Sequence, residues 1–310
     1  MSVPRFAPIA AVVVAVISWG IGPIFVSSLT ISLSSTVLLR QLIWLPVLFS
    51  LAHLAGDGFT RHHFAVSWKP GIFFALSTAL SFGSFRETSI ANATLIGSLT
   101  PAVLLLIAPR LLGEKVTLQR VAYSLVSFVG VMAVVAGAES GSGAGQQGSL
   151  GDTMALVGML IWTVYFIAAK RARDEGVNTW SFLTGICLVN VLLAIPWAVI
   201  SRDDLLDVSR RDWMFLVLMM LIPGTMGHYL MTWAQRYLDT TVSSLITLGG
   251  PVISTSLAFL FLSQSISLLQ VLGGVVVLMG LGGVIISAAT ARGAKSAEVG
   301  TVDPLLNSKP

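Results

Sequence analysis

The chain has 310 residues, of which 55% are hydrophobic and only 10% are charged, with a net charge of +4 at pH 7. Soluble domains carry roughly 25% charged residues, so this composition excludes an ordinary water-soluble protein of this size. Basic residues that accumulate on cytoplasmic loops explain the positive charge, and no basic patch interleaved with aromatic residues indicates nucleic-acid binding. Cys187, the single cysteine, lies in an apolar run and can form neither an intrachain disulfide nor a metal cluster.

Ten apolar segments are each long enough to cross the hydrocarbon core of a membrane, which takes a helix of about 20 residues. The runs are continuous rather than alternating, which favours helices over the strands of a membrane barrel. We therefore predict an all-α membrane protein with ten transmembrane helices. The predicted spans are 6–28, 34–55, 70–88, 91–111, 119–138, 150–169, 178–200, 212–234, 240–262 and 267–290.

The predicted spans form two groups of five, separated by a segment rich in glycine, serine and glutamine. We assign residues 1–138 to a first five-helix repeat, 139–149 to a flexible linker and 150–291 to a second five-helix repeat. The polar residues 292–310 predict a disordered cytoplasmic tail. Because five is an odd number, the second repeat is predicted to be inverted in the membrane relative to the first.

Lysine and arginine are distributed unequally between the two sides of the predicted membrane. If the N-terminus is cytoplasmic, cytoplasmic segments hold thirteen of the eighteen basic residues, and the opposite loops hold Arg202, Arg210 and Arg211. Since basic residues concentrate on the cytoplasmic side, both termini are predicted to be cytoplasmic. Arg40 and Arg86 lie within spans, toward the outer side.

An internal repeat relates the two halves at an offset of 150 residues, which places Pro101 on Pro251 and Gly130 on Gly280. Aliphatic identities are common by chance in apolar segments, whereas matched proline and glycine residues are more informative. Inverted repeats are typical of alternating-access transporters, whose binding site lies between the repeats near the membrane midplane. The repeat therefore indicates a transporter.

Short motifs in both halves carry a resemblance to other membrane proteins. They are Trp19-Gly20, Arg40, Leu99-Thr100-Pro101, Leu112-Gly113-Glu114-Lys115-Val116-Thr117 and Gly130-Val131, with a weaker copy at Gly249-Gly250-Pro251, Gln264 and Gly280. Over nearly its whole length the chain resembles the EamA-type carriers of the drug/metabolite transporter superfamily. It differs at Gln264-Ser265, where the second repeat often carries an acidic residue. The aromatic-rich spans are most similar to those of bacterial amino-acid exporters, which implies an inner-membrane protein that exports amino acids, hydrophobic and aromatic ones included.

Proline and glycine residues interrupt the predicted helices at corresponding positions. Proline removes a backbone donor and clashes with the carbonyl four residues earlier, so Pro101 frees the carbonyl of Gly97 and Pro251 frees that of Thr247. Such groups contact substrate or mark hinges, unless the breaks are only packing kinks. The candidate hinge and gating residues are Pro23, Pro101, Gly224, Gly249, Gly250 and Pro251.

Four ionisable residues are predicted to lie within spans, namely Arg40, Arg86, Glu87 and His228. Charges inside a membrane are costly, and they mark either structural pairs or functional sites. We predict a structural pair of Arg40 with Glu87, and the alternative is that Arg86 or Arg40 attracts a substrate carboxylate. His228 either lines a cavity and takes up a proton or is a satisfied core residue.

Aromatic and hydroxyl side chains within the spans are candidates for the wall of a binding pocket. An aromatic-lined pocket with few charges suits apolar or aromatic solutes. Packing or lipid contact is the alternative for the aromatic residues, and helix association is the alternative for serine and threonine. The candidate substrate-binding residues are Trp19, Phe82, Arg86, Thr100, Trp162, Tyr165, His228 and Tyr229.

The combined prediction is a secondary transporter that exports small metabolites, amino acids first among them, by alternating access through a cavity between the repeats. The alternatives are an intramembrane enzyme, a channel or, within transporters, a drug or nucleotide-type metabolite carrier. The sequence has no His-Glu-x-x-His or Gly-x-Ser-x-Gly motif and no ATP-binding loop, so we expect no enzyme activity, no cofactor and no bound metal. The expected partners are a small-molecule substrate and membrane lipid, with a monomer or homodimer and no nucleic acid.

Overall fold

The computed structural model of the protein describes residues 4, 6–55, 58–88, 90–114, 116–139, 149–202, 205, 207–262 and 266–300. Within these residues the chain is helical and contains no β-strand. Its helices form ten spans, four of which contain an interruption. In chain order the spans are Ala7–Gly20 with Gly22–Ser28, Leu33–Leu54, Arg61–Glu87, Ile90–Gly97 with Thr100–Leu112, Leu118–Glu139, Ser149–Asp174, Thr179–Ser201, Arg210–Met219 with Met220–Gly227 and His228–Ala234, Thr240–Ile246 with Thr247–Gly249 and Gly250–Leu262, and Leu268–Gly300.

The prediction of an all-α membrane protein with ten helices is confirmed, since each predicted span coincides with one of these helical spans. Eight helices of the described chain are long and apolar enough to cross a membrane. The third span begins at Arg61, well before the predicted residue 70. It begins there because the Thr60 hydroxyl accepts a hydrogen bond from the His63 backbone N–H, which caps a polar first turn that hydropathy does not detect.

The tenth span is longer than predicted, because its helix continues from Leu268 to Gly300. Residues 292–300, which we expected to belong to a disordered tail, are therefore helical. Alanine, lysine, arginine and glutamate supply most of this stretch, and all four favour a continued helix. Residues 140–148 of the predicted linker, residues 301–310 of the predicted tail and the Gln264-Ser265 segment lie outside the described residues.

The fifth and tenth spans pack against each other and show how the two repeats are related. A methyl group on Gly130 would lie 2.6 Å from the Val277 nitrogen, and a methyl group on Gly280 would lie 2.8 Å from the Ser127 nitrogen. The two contacts exchange under the repeat offset, because residues 130 and 280 correspond, as do residues 127 and 277. Each repeat thus supplies one half of the same glycine contact, and the missing side chains let the two backbones approach directly.

The fourth and ninth spans, another pair related by the repeat, are broken at the same place. The fourth span is interrupted at residues 98–99, and the ninth passes through the 3₁₀ turn Thr247–Gly249. Pro101 and Pro251 each lie in the first turn of the helix that follows the break, where a missing backbone N–H costs no helical hydrogen bond. The prolines therefore begin new helical segments and do not kink a continuous helix.

The largest buried hydrophobic cluster lies toward the end of the molecule at which the first span begins. It joins Val12 of the first span to Leu104, Ala234 and Leu245, all of which are completely buried. These residues come from both repeats, so the cluster holds the two repeats together at this end, which we call the packed end. A cavity occupies part of the remaining space between the repeats.

Candidate functional site

The cavity has a volume of about 310 Å³ and lies between the two repeats. This volume falls within the range of small-molecule sites, roughly 300–1,000 Å³. The first, second, third, fourth, sixth, eighth and ninth spans supply its wall, and it extends from the helix breaks toward the end opposite the packed end. The predicted residues that line it are Trp19, Pro23, Arg40, Phe82, Thr100, Trp162, His228, Gly250 and Pro251.

An aromatic wall lines one side of the cavity. Trp19 and Trp162 meet edge to face with ring centroids 5.7 Å apart. The ring of His228 lies 5.1 Å from that of Trp19, and Trp19 Nε1 donates a hydrogen bond to the Pro223 carbonyl oxygen at 3.2 Å. Because these residues belong to the first, sixth and eighth spans, both repeats build this wall. It provides an apolar surface for a solute side chain.

A π-helical segment, Met220–Gly227, shapes the eighth span where it meets Trp19. π-Helical segments are rare in proteins, and those that occur often lie at functional sites. The predicted hinge residue Gly224 lies inside it. A methyl group on Gly227 would lie 2.6 Å from Trp19 Nε1, so the indole requires glycine at this position. We did not predict Gly227 from the sequence, although it follows Gly224 by about one helical turn.

The two helix breaks contribute corresponding positions to the cavity wall. Thr94 and Gly97 of the fourth span line the cavity, as do their repeat counterparts Ser244 and Thr247 of the ninth span. The Thr100 hydroxyl donates a hydrogen bond to the Gly97 carbonyl oxygen at 2.9 Å. The Gly97 carbonyl that we predicted to be free is therefore hydrogen-bonded within the chain. The breaks offer hydroxyl groups to a solute at symmetric positions.

A stripe of small hydroxyl residues on the third span also lines the cavity, and we did not predict it. Ser77, Ser81 and Ser84 are three or four residues apart, so they share one face of the helix. The spacing is visible in the sequence. Serine in a membrane helix nevertheless often joins helices, and the spacing alone does not distinguish that role from a cavity wall.

Arg40 is a charged residue of the cavity wall, with 3% of its surface exposed. Its guanidinium carbon lies 5.1 Å from the centroid of the Phe82 ring, which is a cation–π contact. The Arg40 Nε and Nη2 atoms are buried without a hydrogen-bond partner. The predicted pair of Arg40 with Glu87 is not formed in the described chain, because Glu87 is exposed at the end of the third span whereas Arg40 is buried inside the molecule.

Three predicted substrate-binding residues lie outside the cavity wall. Arg86 is exposed and donates from Nη2 to a backbone carbonyl oxygen in the loop after the first span, at 3.0 Å. Tyr165 is buried against Trp162, with ring centroids 4.9 Å apart. Tyr229 stacks on Trp180, with ring centroids 3.9 Å apart. We placed all three in the correct spans, but membership of a span does not fix which helix face meets the cavity.

The predicted hinge residues divide between the wall and the packing around it. Pro23, Gly250 and Pro251 line the cavity. Pro101 is buried outside the wall, and a methyl group on the buried Gly249 would lie 3.1 Å from Leu281, so both positions serve packing. The gating role of all six residues stays a prediction.

Polar contacts between the repeats close the packed end. The Glu114 carboxylate accepts hydrogen bonds from the Thr241 backbone N–H at 2.9 Å and from the Thr241 hydroxyl at 2.6 Å. A carboxylate is favourable there because the first turn of a helix presents unpaired N–H groups. Arg120 and Asp239 form an ion pair at 2.9 Å. We call these contacts the charged junction; each of them links the first repeat to the second.

Comparison with known proteins gives a family match over part of the chain and a fold match over most of it. Residues 149–286 match the EamA-like transporter family. The matched residues cover most of the second repeat, which is thus similar to an EamA-like transporter domain. The predicted resemblance to this family and to the drug/metabolite transporter superfamily is thereby confirmed. A crystal structure aligns with 92% of this chain and 100% of its own, with a TM-score of 0.77 and 20% identity, which supports the fold.

Three curated relatives are similar to the chain at low identity. It is 26% identical over 204 residues to the uncharacterised transporter YxxF of Bacillus subtilis, covering 66% of this chain and 64% of the relative. It is 22% identical over 176 residues to the aromatic amino acid exporter YddG of Ancylobacter novellus, covering 57% and 60%. It is 25% identical over 205 residues to the protein PecM of Dickeya dadantii, covering 66% of each. The matched regions thus span slightly less than two thirds of these relatives.

Proposed function

We propose that the protein is a secondary transporter that exports small metabolites, amino acids first among them, by alternating access. The observation that carries this proposal is the cavity between the repeats, to which both helix breaks contribute symmetry-related residues. Inverted repeats with helices broken beside a central site are the architecture of carriers that expose one site to the two sides in turn.

A transport cycle follows from this proposal and is supported by the contrast between the packed end and the cavity. The structure corresponds to a state in which the packed end is closed by the hydrophobic cluster and the charged junction. To open this end, the contacts of Glu114 and of Arg120 with Asp239 must break, and the spans must bend at residues 98–99 and 247–249. With both termini cytoplasmic in a bacterial inner membrane, the closed end faces the cytoplasm and the cavity faces the outside. Solute enters at the cytoplasmic end and leaves at the other.

The cavity wall favours amino acids with apolar or aromatic side chains. The edge-to-face pair of Trp19 and Trp162 gives such a side chain an apolar surface. Hydroxyl groups at the breaks and along the third span provide hydrogen bonds for a polar backbone portion. The relative YddG is named as an exporter of aromatic amino acids, which supports the same substrate class.

Counterflow into proteoliposomes tests this function. Purified protein is reconstituted into liposomes loaded with one unlabelled solute, and uptake of the labelled solute is followed for phenylalanine, leucine, a nucleoside and a cationic drug. We expect saturable counterflow of phenylalanine that is absent from protein-free liposomes. Non-saturable conductance would instead show a channel, conversion of a solute to a product would show an enzyme, and counterflow of the nucleoside or drug alone would exclude amino acids as substrates.

A further inference from the structure

Arg40 carries a charge that no carboxylate among the described residues neutralises. It is 3% exposed, its Nε and Nη2 atoms have no hydrogen-bond partner, and no aspartate or glutamate belongs to the cavity wall formed by the described residues. A buried charge without an ion-pair partner is destabilising, because it has lost its hydration and the contact with the Phe82 ring compensates only part of that loss. An anion bound in the cavity beside Arg40 would therefore be stabilised by this charge.

The surroundings of Arg40 hold the guanidinium group in a defined position. The Phe82 ring contacts it at 5.1 Å, and both residues line the cavity. A planar guanidinium can donate two parallel hydrogen bonds to a carboxylate, which favours a carboxylate over a neutral acceptor. The ring contact leaves the N–H groups of Nε and Nη2 free for such a donation, because an aromatic face attracts the charge but accepts no strong hydrogen bond.

We propose that Arg40 binds the carboxylate of the transported solute while the wall formed by Trp19 and Trp162 takes its apolar side chain. The inference rests on the proposed transport function and names the group that selects the substrate. The solutes that fit are carboxylates and zwitterions with an apolar or aromatic side chain. Amines that lack an acidic group are excluded, because they would add a second cation beside Arg40.

Arg86 provides a matched control within the same chain. It lies near the same end of the membrane as the cavity, but it is exposed and donates to the Ile31 carbonyl oxygen at 3.0 Å. Its guanidinium group is exposed and its Nη2 donor is already in use, so Arg86 has no requirement for an anion. Replacing Arg86 removes one positive charge from the same part of the molecule without altering the cavity wall.

The test is competition against counterflow of labelled phenylalanine in proteoliposomes. The competitors are 3-phenylpropionate, which keeps the carboxylate and lacks the amine, and phenylalaninamide, which keeps the amine and lacks the carboxylate. We expect 3-phenylpropionate to compete with the wild-type protein roughly tenfold or more better than the amide, as the loss of a charged hydrogen-bonding group predicts. In Arg40→Gln this preference disappears, Arg40→Lys retains part of it, and Arg86→Gln keeps the wild-type preference.

Several results would overturn the inference, and they differ from a failure of the transport function. If wild-type protein transports phenylalanine but prefers the amide or shows no preference, transport stands and the carboxylate contact is excluded, without the need for any variant. If folded Arg40→Gln keeps the preference, or loses affinity for acid and amide equally, Arg40 has a structural role only. If wild-type protein transports no amino acid of the counterflow panel, the proposed substrate class fails together with this inference.

Discussion

The repeats build two kinds of contact with each other, and these differ in symmetry. In the pairing of the fifth and tenth spans, Gly130 and Gly280 make equivalent close approaches to the opposite backbone. At the charged junction the equivalence ends. Arg120 reaches across to Asp239, whereas its counterpart Gln270 folds back and accepts a hydrogen bond from the Ser267 backbone N–H at 2.8 Å.

This difference separates the scaffold of the molecule from its ends. Contacts that both repeats make equally stabilise two arrangements of the molecule to the same extent, namely the described arrangement and the one in which the two repeats exchange conformations. Such contacts therefore favour neither arrangement. Contacts that only one repeat makes stabilise one arrangement over the other. The first repeat carries Glu114 and Arg120 where the second carries Gln264 and Gln270. We therefore expect the packed end to be the more tightly closed of the two ends.

The largest expected effect belongs to the symmetric scaffold. In Gly280→Ala the new methyl group would lie 2.8 Å from the Ser127 nitrogen, which is backbone and cannot move aside without separating the two spans. We expect a loss of about 2 kcal/mol or more of stability, seen as a lower melting temperature in detergent. Gly282→Ala is the control, because nothing lies within 4 Å of its added methyl group. Equal melting temperatures for the two variants would refute the close packing of these spans.

A smaller effect is expected at the charged junction. Glu114→Gln weakens the hydrogen bonds from Thr241 and should lower the stability of the closed end by about 1–2 kcal/mol. The reporter is the completely buried Ala234, replaced by cysteine at the packed end. We expect its labelling by a polar thiol reagent to rise severalfold in the Glu114→Gln background, while the native Cys187, also completely buried, stays unlabelled.

Arg110→Gln is the matched control for the junction. Arg110 is at the same end of the fourth span, but among the described residues its hydrogen bond stays within its own helix, to the Leu106 carbonyl oxygen at 3.3 Å. Its removal should leave labelling at position 234 unchanged. An equal increase for both variants would mean that general charge, and not the contact between repeats, controls this end.

The smallest effect is expected inside the cavity. In Gly227→Ala the methyl group would lie 2.6 Å from Trp19 Nε1, so the indole must shift and its hydrogen bond to Pro223 is lost. We expect a severalfold weaker apparent affinity for phenylalanine, with a smaller loss of thermal stability than in Gly280→Ala because a side chain can move aside more easily than backbone. Gly22→Ala, which also lies in the cavity wall but meets nothing within 4 Å, should keep the wild-type affinity. A loss in both variants would show that the wall does not depend on the position of Trp19.

Hydropathy and the repeat predicted the fold well, because a membrane leaves the backbone few alternatives to helices. The alignment of Pro101 with Pro251 located both helix breaks at the positions that the structure shows. The sequence was less informative about helix faces. Trp162 and Tyr165 are only three residues apart, yet one lines the cavity and the other is buried outside it.

The sequence alone did not predict that Arg40 lacks an ion-pair partner or that Gly227 contacts Trp19. A basic residue in a predicted span is as compatible with an ion pair as with an unpaired site, and only the exposed position of Glu87 excludes the pair. Gly227 is informative only once Trp19, from a distant part of the chain, is known to approach it. Both cases depend on contacts between spans that are far apart in sequence, which a periodic pattern along one helix does not encode.

Labelling of two engineered cysteines, one in the cavity wall and one at the packed end, tests most directly whether the cavity opens to the two ends in turn. Ser81→Cys lies in the cavity wall, and Ala234→Cys lies at the packed end. If one cavity between the repeats holds the solute and opens to the two ends in turn, saturating phenylalanine should slow labelling at position 81 and also change the labelling rate at position 234, which lies outside the cavity wall. Labelling that is independent of phenylalanine at both positions would contradict the account.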